Sequence, residues 1–457
     1  MNRPVTAREG GRASSPASSS SSASWTSLID DVTAGRWIDP DTGLPAGVPF
    51  ERVVIADDLG GAYADLVGSV MPAATYAVVS DRDTRDAQGA AIAAALGASA
   101  IEVVLDHPHA DEGEVERLKD RTRGADALIA VGSGTINDLC KYATAQDGRP
   151  YSVFGTAPSM NGYTSTTASI TLASGLKTTQ PAHAARGVFI DLAVNAAAPS
   201  YLIAAGLGDS LCRSTAQVDW YFSHRMFGTA YLTAPYALQD EDERELLARS
   251  ADLARGDRLA VGYLQRLLTL TGFGISVAKM SHPGSMGEHQ ISHWIDSFAG
   301  DRHPGTVHGQ QVGVTSVTMA RLQEAILADG RAPRIRPVQF DEADLRRRYP
   351  AAAVEACTAV CRAKTMDEAA CERFNARLAD LWPDLRPRLQ AMSIPSAVLA
   401  GHLRAAGGAA TASELGIDIG LYRDALRYSP EMRDRYSFLD LAAGMGILDD
   451  FIAEEGR

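Results

Sequence analysis

A chain of 457 residues is long enough for two or three domains with a sizeable core. At 46% hydrophobic and 22% charged residues it fits neither a disordered nor a fibrous class. Its 43 Lys plus Arg against 56 Asp plus Glu leave a net charge of −13, a balance that repels phosphate backbones and excludes nucleic acid as the expected partner.

Taken from the N-terminus, residues 1–24 are expected to be a disordered tail, because eight of residues 14–24 are serine and little apolar surface is available to offset the entropy of ordering. Six short β-branched runs then read as strands: 52–55, 76–80, 101–105, 127–131, 151–154 and 187–190. Helical periodicity over 86–96 and 111–123 alternates with them, which argues a parallel sheet with crossover helices. From Ala205 onward the pattern becomes helical, with a change of period at Pro199 to Gly206. The expected organisation is an α/β Rossmann-like nucleotide-binding domain over 25–204 and an all-α metal and substrate domain over 205–457, with a cleft between them.

No run approaches the roughly 18 apolar residues of a membrane span, and the N-terminus lacks a secretory apolar core. Cysteines at 140, 212, 357, 361 and 371 form no paired metal pattern, so free thiols in a reducing compartment are expected. The protein therefore reads as cytoplasmic, without membrane insertion.

Three places carry chemistry. Gly132-Ser133-Gly134-Thr135 follows a strand and opens a helix through Asp138, so that backbone N–H groups could approach a pyrophosphate; GSGTIND matches GxGxxG only in part. Asp81, at the end of an earlier strand, suits either the ribose hydroxyls of an adenosine or a helix cap. Five of the ten histidines fall between residues 282 and 308, namely His282, His289, His293, His303 and His308. His289 and His293 in GEHQISHWID share a helical face, which suits two metal ligands or one ligand and one substrate contact. His308 opens HGQQVGV, and the missing carboxylate is best supplied by Asp209, where Gly206 and Gly208 read as opening a helix capped by that residue. Two imidazoles and one carboxylate leave open positions on a divalent ion, the pattern of a catalytic site.

The ordered motifs GSGTINDLCKY, GTAPSMNGYTS, AAGLGD, GEHQISH and HGQQVGV together resemble the glycerol-1-phosphate dehydrogenases, within the metal-dependent polyol dehydrogenase and dehydroquinate synthase-like superfamily, over about Phe50 to Ala320. The resemblance implies that Gly132, Ser133, Gly134 and Asp138 hold the pyrophosphate region and that Thr156, Ser159 and Ser165 contact the nicotinamide half of NAD or NADP. It implies Asp209, His289 and His308 as ligands of one divalent ion (Zn, Ni or Fe), with His293 facing the substrate and relaying the proton. The implied reaction interconverts dihydroxyacetone phosphate and sn-glycerol 1-phosphate by hydride transfer. Asp209, in place of the glutamate of the dehydroquinate synthase branch, favours simple hydride transfer over a lyase or cyclase reaction. Asn161 replaces the aspartate that many relatives carry, which opens the alternative of another small phosphorylated or phosphonate alcohol or aldehyde as substrate. Asp81 leans towards NAD, since a carboxylate there repels a 2′-phosphate. Lys177 and Arg213 are the basic residues nearest the motifs and either could grip a phosphate or be a solvated charge; residues 332–408 match no motif and read as helical packing or as a contact in a homo-oligomer, dimer or larger.

Overall fold

A computed structural model describes residues 25–455; the serine-rich segment lies outside them. A two-residue pair, β1 (Trp37–Ile38) with β2 (Pro45–Ala46), precedes the main sheet. The sheet is built from β3 (Arg52–Ala56), β4 (Tyr76–Asp81), β5 (Ala100–Leu105), β6 (Ala127–Gly132), β7 (Tyr151–Gly155) and β10 (Gly187–Asp191), all parallel, in the order β3-β10-β7-β6-β4-β5. Every run read as a strand is therefore a strand of one sheet. Its central members are continuous apolar runs because both faces are covered. Tyr76, Val78, Ile129, Val131, Phe154 and Phe189 pack on one side with Leu66 and Ile92. Ala77, Val79, Leu128, Ala130, Val153 and Val188 pack on the other with Leu207, Leu211 and Leu264 of the C-terminal helices.

The predicted helix over 111–123 is Glu112–Arg121, capped by Asp111, whose carboxylate accepts from Glu114 N at 2.8 Å. The predicted helix over 86–96 is a wide turn, Arg85–Gly89, running into Ala90–Leu96. Unforeseen is the antiparallel hairpin β8 (Thr167–Thr171) with β9 (Lys177–Pro181). Its threonine-rich strands bury only alternate small or aliphatic side chains such as Ala168 and Ile170, so no strong apolar signal marks it in the sequence.

The chain after β10 is helical as expected, and among the described residues no helix is long and apolar enough to cross a membrane. Its organising element is a 28-residue helix, Ser200–Phe227. Here the structure corrects the sequence reading. Gly206 and Gly208 do not open the helix, and Asp209 is not its cap; the helix starts at Ser200 after Pro199, and a boundary at residue 204 would fall inside it. The glycines instead permit close approach of backbone to backbone. A Cβ on Gly206 would lie 1.6 Å from Pro158 O, and one on Gly208 would lie 2.2 Å from Gly309 O on the helix His308–Ala328. Residues 332–408 are mostly helices that join a second core around Leu378, Trp382, Leu385 and Leu389, and all five cysteines are free and buried.

We predict that Gly208→Ala lowers stability by on the order of 1–3 kcal/mol, since the added methyl meets backbone that can yield only by separating two helices. Gly330→Ala, where a Cβ meets nothing within 4 Å, should leave the urea midpoint unchanged. Equal midpoints for the two variants would contradict this packing.

Candidate active site

The glycine contacts bring the helices Ser200–Phe227 and His308–Ala328 together, and Gly287–Phe298 packs beside both. One ligand-capable atom each from Asp209, His289 and His308 lies within 4.8 Å of the others. Asp209 is 1% exposed and His289 5%, while His308 is half-buried and leaves the cluster accessible from one side.

The hydrogen-bond network fixes which ring nitrogen of each histidine is free. Glu288 Oε1 lies 3.0 Å from His289 Nδ1, and a carboxylate can only accept, so Nδ1 carries the proton and the Nε2 lone pair faces Asp209 Oδ1 at 3.7 Å. The Ser292 hydroxyl donates to Gln311 Oε1 at 2.9 Å, so it accepts from His308 Nδ1 at 3.2 Å, and Nε2 of His308 is free as well. His293, one turn from His289, is arranged the other way. Its Nδ1 sits 2.8 Å from Arg433 Nη2, and a guanidinium only donates, so Nδ1 is the acceptor and the ring proton is on Nε2. Two rings thus present lone pairs and the third presents an N–H. This asymmetry suits His289 and His308 to a metal and His293 to a hydrogen-bond acceptor.

Asp209 Oδ2 accepts from Asn161 N at 2.9 Å, whereas Oδ1 is buried without a hydrogen-bond partner among the described residues. A buried carboxylate oxygen left unpaired is costly unless a cation meets it. Burial pushes the Asp209 carboxyl above its usual range, against the opposing pull of His289. Burial also holds His293 and His308 well below the ordinary imidazole value, so both rings are neutral and suited to donate a lone pair or an N–H. The residues present therefore fit a divalent cation. A second group, Cys212 with Glu288 and His289, fits less well. Burial and the neighbouring carboxylates push the Cys212 thiol up, and it donates to Asp209 O at 3.0 Å. Glu288 is already occupied by Met286 N, His289 and Thr215.

The glycine turn lies at the point where the sheet changes direction. From β4 the chain proceeds outward to β5, and from β6 it proceeds the other way to β7. Such a switch point opens a crevice at the carboxyl ends of the two strands. Val79 of β4 pairs with Ala130 of β6, and two residues on stand Asp81 and Gly132, side by side at that crevice. Ser133 precedes the helix Gly134–Asp147, whose first N–H groups face the turn. Gly132 is required by packing, for a Cβ there would lie 2.7 Å from Ile136. Asp81 caps the following turn, its Oδ1 accepting from Thr84 N and Thr84 Oγ1, each at 2.8 Å. Thr156 and Ser159 are buried in the segment after β7, and Thr156 N donates to Gly132 O at 3.2 Å.

Residues 54–199 match the model of the iron-containing alcohol dehydrogenase family. The chain is 30% identical over 377 residues to a glycerol-1-phosphate dehydrogenase (NAD(P)+) of Bacillus velezensis, an alignment spanning 80% of this chain and 84% of that one. The chain belongs to the glycerol-1-phosphate dehydrogenase family. The corresponding protein of Bacillus subtilis is 30% identical over 314 residues, 68% of each chain. The fold is also that of NADH-dependent butanol dehydrogenase A of Thermotoga maritima, with TM-score 0.58, 12% identity and coverage of 90% of this chain and 98% of that one.

Within this glycerol-1-phosphate dehydrogenase family member, several residues singled out by sequence have other partners. Asp138 and Ser165 face the hairpin and a buried Lys141: Asp138 Oδ2 accepts from Ser169 N at 3.0 Å, and Lys141 Nζ donates to Gly162 O, Ser165 Oγ and Thr167 O. Lys141 thereby braces the segment that carries Asn161, a role hidden in the sequence because a helical lysine ordinarily points to solvent. Neither proposed phosphate grip is a solvated charge. Lys177 pairs with Asp296 at 2.7 Å and Arg213 with Glu243 at 2.7 Å through Nε, and both cations are half-buried. His303 also bonds Asp296, and His282 lies against Trp220, so these two stand apart from the cluster. Arg433, Arg435 and Glu288 were missed; the arginines lie more than a hundred residues beyond the nearest motif, with no local pattern to mark them.

We predict that Asp209→Ala and His308→Ala lose retained metal, measured by elemental analysis after desalting, while His293→Ala keeps the wild-type stoichiometry. Glu288→Gln, which weakens the orientation of His289, should lower metal affinity on the order of 10–100-fold. Metal loss in His293→Ala with retention in His308→Ala would reverse the assignment.

Proposed function

We propose that the protein is a metal- and NAD(P)-dependent dehydrogenase that interconverts dihydroxyacetone phosphate and sn-glycerol 1-phosphate. The observation that carries this reading is the unpartnered Asp209 oxygen facing two histidine lone pairs, in a chain of this family. Asp209, His289 and His308 would hold the ion, and residues at Asp81, Gly132, Ser133, Gly134, Thr156 and Ser159 would line the nucleotide crevice. A divalent ion bound there supplies a Lewis acid for the substrate's C2 oxygen, and the nicotinamide supplies or accepts the hydride.

The chain's own side chains do the rest. Asn161 N fixes the Asp209 carboxylate through Oδ2, so that Oδ1 keeps one direction. His293 holds a proton at Nε2, where it donates a hydrogen bond to a substrate hydroxyl or carbonyl. In this arrangement it does not relay that proton, since release from a neutral ring whose Nδ1 faces a guanidinium would leave an imidazolate. Burial of the cluster keeps bulk water from competing for these contacts. The same reading places the enzyme in the cytoplasm as a homo-oligomer, acting on a small phosphorylated substrate.

In metal-reconstituted protein, dihydroxyacetone phosphate should drive oxidation of NADH or NADPH, with sn-glycerol 1-phosphate as the product by chiral analysis and loss of turnover on chelation. Stoichiometric cofactor consumption separates this from a lyase cycle that regenerates its own nicotinamide. With Asp81 at the ribose position, kcat/KM should favour NADH, and Asp81→Asn should narrow that preference; a wild-type preference for NADPH would contradict the placement of Asp81.

A further inference from the structure

Two arginines from the far C-terminal part of the chain reach the wall of this site. Arg433 donates to His293 Nδ1 at 2.8 Å and to Ser285 Oγ at 2.9 Å, and Arg435 donates to Ser281 Oγ at 2.7 Å and to Ser285 O. Both are half-buried, and among the described residues neither forms an ion pair. The buried carboxylate of Glu288 is hydrogen-bonded to Met286 N, His289 and Thr215 and not to either guanidinium. Each guanidinium has spent two of its five N–H donors on neutral acceptors and keeps the others. Burial and the mutual repulsion of the pair lower Arg433 to about 9, and burial lowers Arg435 to about 10, so both remain cations at neutral pH. Glu288 and Asp434 favour the two charges without forming an ion pair with either, and two like charges that touch only neutral acceptors become more favourable when an anion joins them.

The anion's position is set by its neighbours. Arg433 touches His293, whose ring lies 5.4 Å from His308 and 5.9 Å from His289 between centroids. A substrate oxygen at the histidine cluster would leave the other end of a three-carbon phosphate ester beside the arginines. Lys177 and Arg213 are paired with Asp296 and Glu243, whereas among the described residues the two arginines at this wall have no carboxylate partner within ion-pair distance.

We infer that Arg433 and Arg435 form the substrate's phosphate grip, taking the dianion through their unspent N–H groups. This rests on the dehydrogenase reading above, and it makes Arg433 a link between phosphate and the donor face of His293.

The test compares dihydroxyacetone phosphate with dihydroxyacetone, and measures inorganic phosphate binding directly by calorimetry on the metal-loaded protein. In Arg435→Gln the ratio of kcat/KM for the phosphorylated over the unphosphorylated ketone should fall on the order of 10–100-fold, chiefly through KM, with phosphate affinity falling in parallel. Arg433→Gln should lose the same discrimination and also lower kcat, since His293 loses its partner. Arg433→Lys and Arg435→Lys keep the charge but not the fork, and should recover part of the phosphate affinity, which a merely structural role would not do. Unchanged discrimination and phosphate affinity in correctly folded, metal-retaining Arg435→Gln would overturn the inference while leaving the dehydrogenase reading intact. Wild-type protein that binds phosphate through the pair yet oxidises no reduced nicotinamide with dihydroxyacetone phosphate would overturn that reading and leave the grip standing.

Discussion

The site depends on the near-contact of two helices at glycine. Gly208 on Ser200–Phe227 and Gly309 on His308–Ala328 leave no room for a side chain between them, and each meets the other's backbone or its close neighbours. That contact carries Asp209, one residue after Gly208, into the interior beside His308, one residue before Gly309. A carboxylate in that position has lost water without gaining a hydrogen bond for Oδ1. Packing energy spread along two long helices thus holds an electrostatically unfavourable group in place, and the unfavourable group is what a cation would answer. Glu288 and Ser292 complete the design by turning the histidine lone pairs inward.

Charge is placed along the chain in a consistent way. Other cations that could compete for an anionic substrate have carboxylate partners: Lys141 has Asp138, Lys177 has Asp296 and Arg213 has Glu243. Arg433 and Arg435, by contrast, donate to neutral acceptors and have no carboxylate partner within ion-pair distance among the described residues. Lys141 also ties the helix after the glycine turn to the segment 162–167, and Asn161 in turn bonds Asp209, so the nucleotide crevice and the metal cluster share one mechanical connection.

Much of this was legible in the sequence. The six sheet strands are short apolar runs, the four inner ones almost wholly buried and the edge strands β3 and β5 half-buried, so their composition marks them, and the glycine turn falls at a strand end where period changes. Asp209, His289 and His308 were identified as a set, and they are brought together, but for a reason the sequence did not give: glycine at 206 and 208 signals close helix packing and not a helix start. Periodicity could not foresee the β8–β9 hairpin, whose threonines carry little apolar contrast, nor the destinations of Asp138 and Ser165, whose partners come from that hairpin and from Lys141. Arg433 and Arg435 escaped because a contact between residues 140 or more positions apart leaves no trace in local spacing.

X-ray absorption at the metal edge, recorded on the loaded protein, bears most directly on the central claim. Coordination by Asp209, His289 and His308 predicts a first shell of nitrogen and oxygen only, with the outer-shell scattering of two imidazoles. A sulfur scatterer in the first shell would place the ion instead at Cys212, Glu288 and His289, and would contradict the assignment of Asp209 as the carboxylate that the fold holds ready for it.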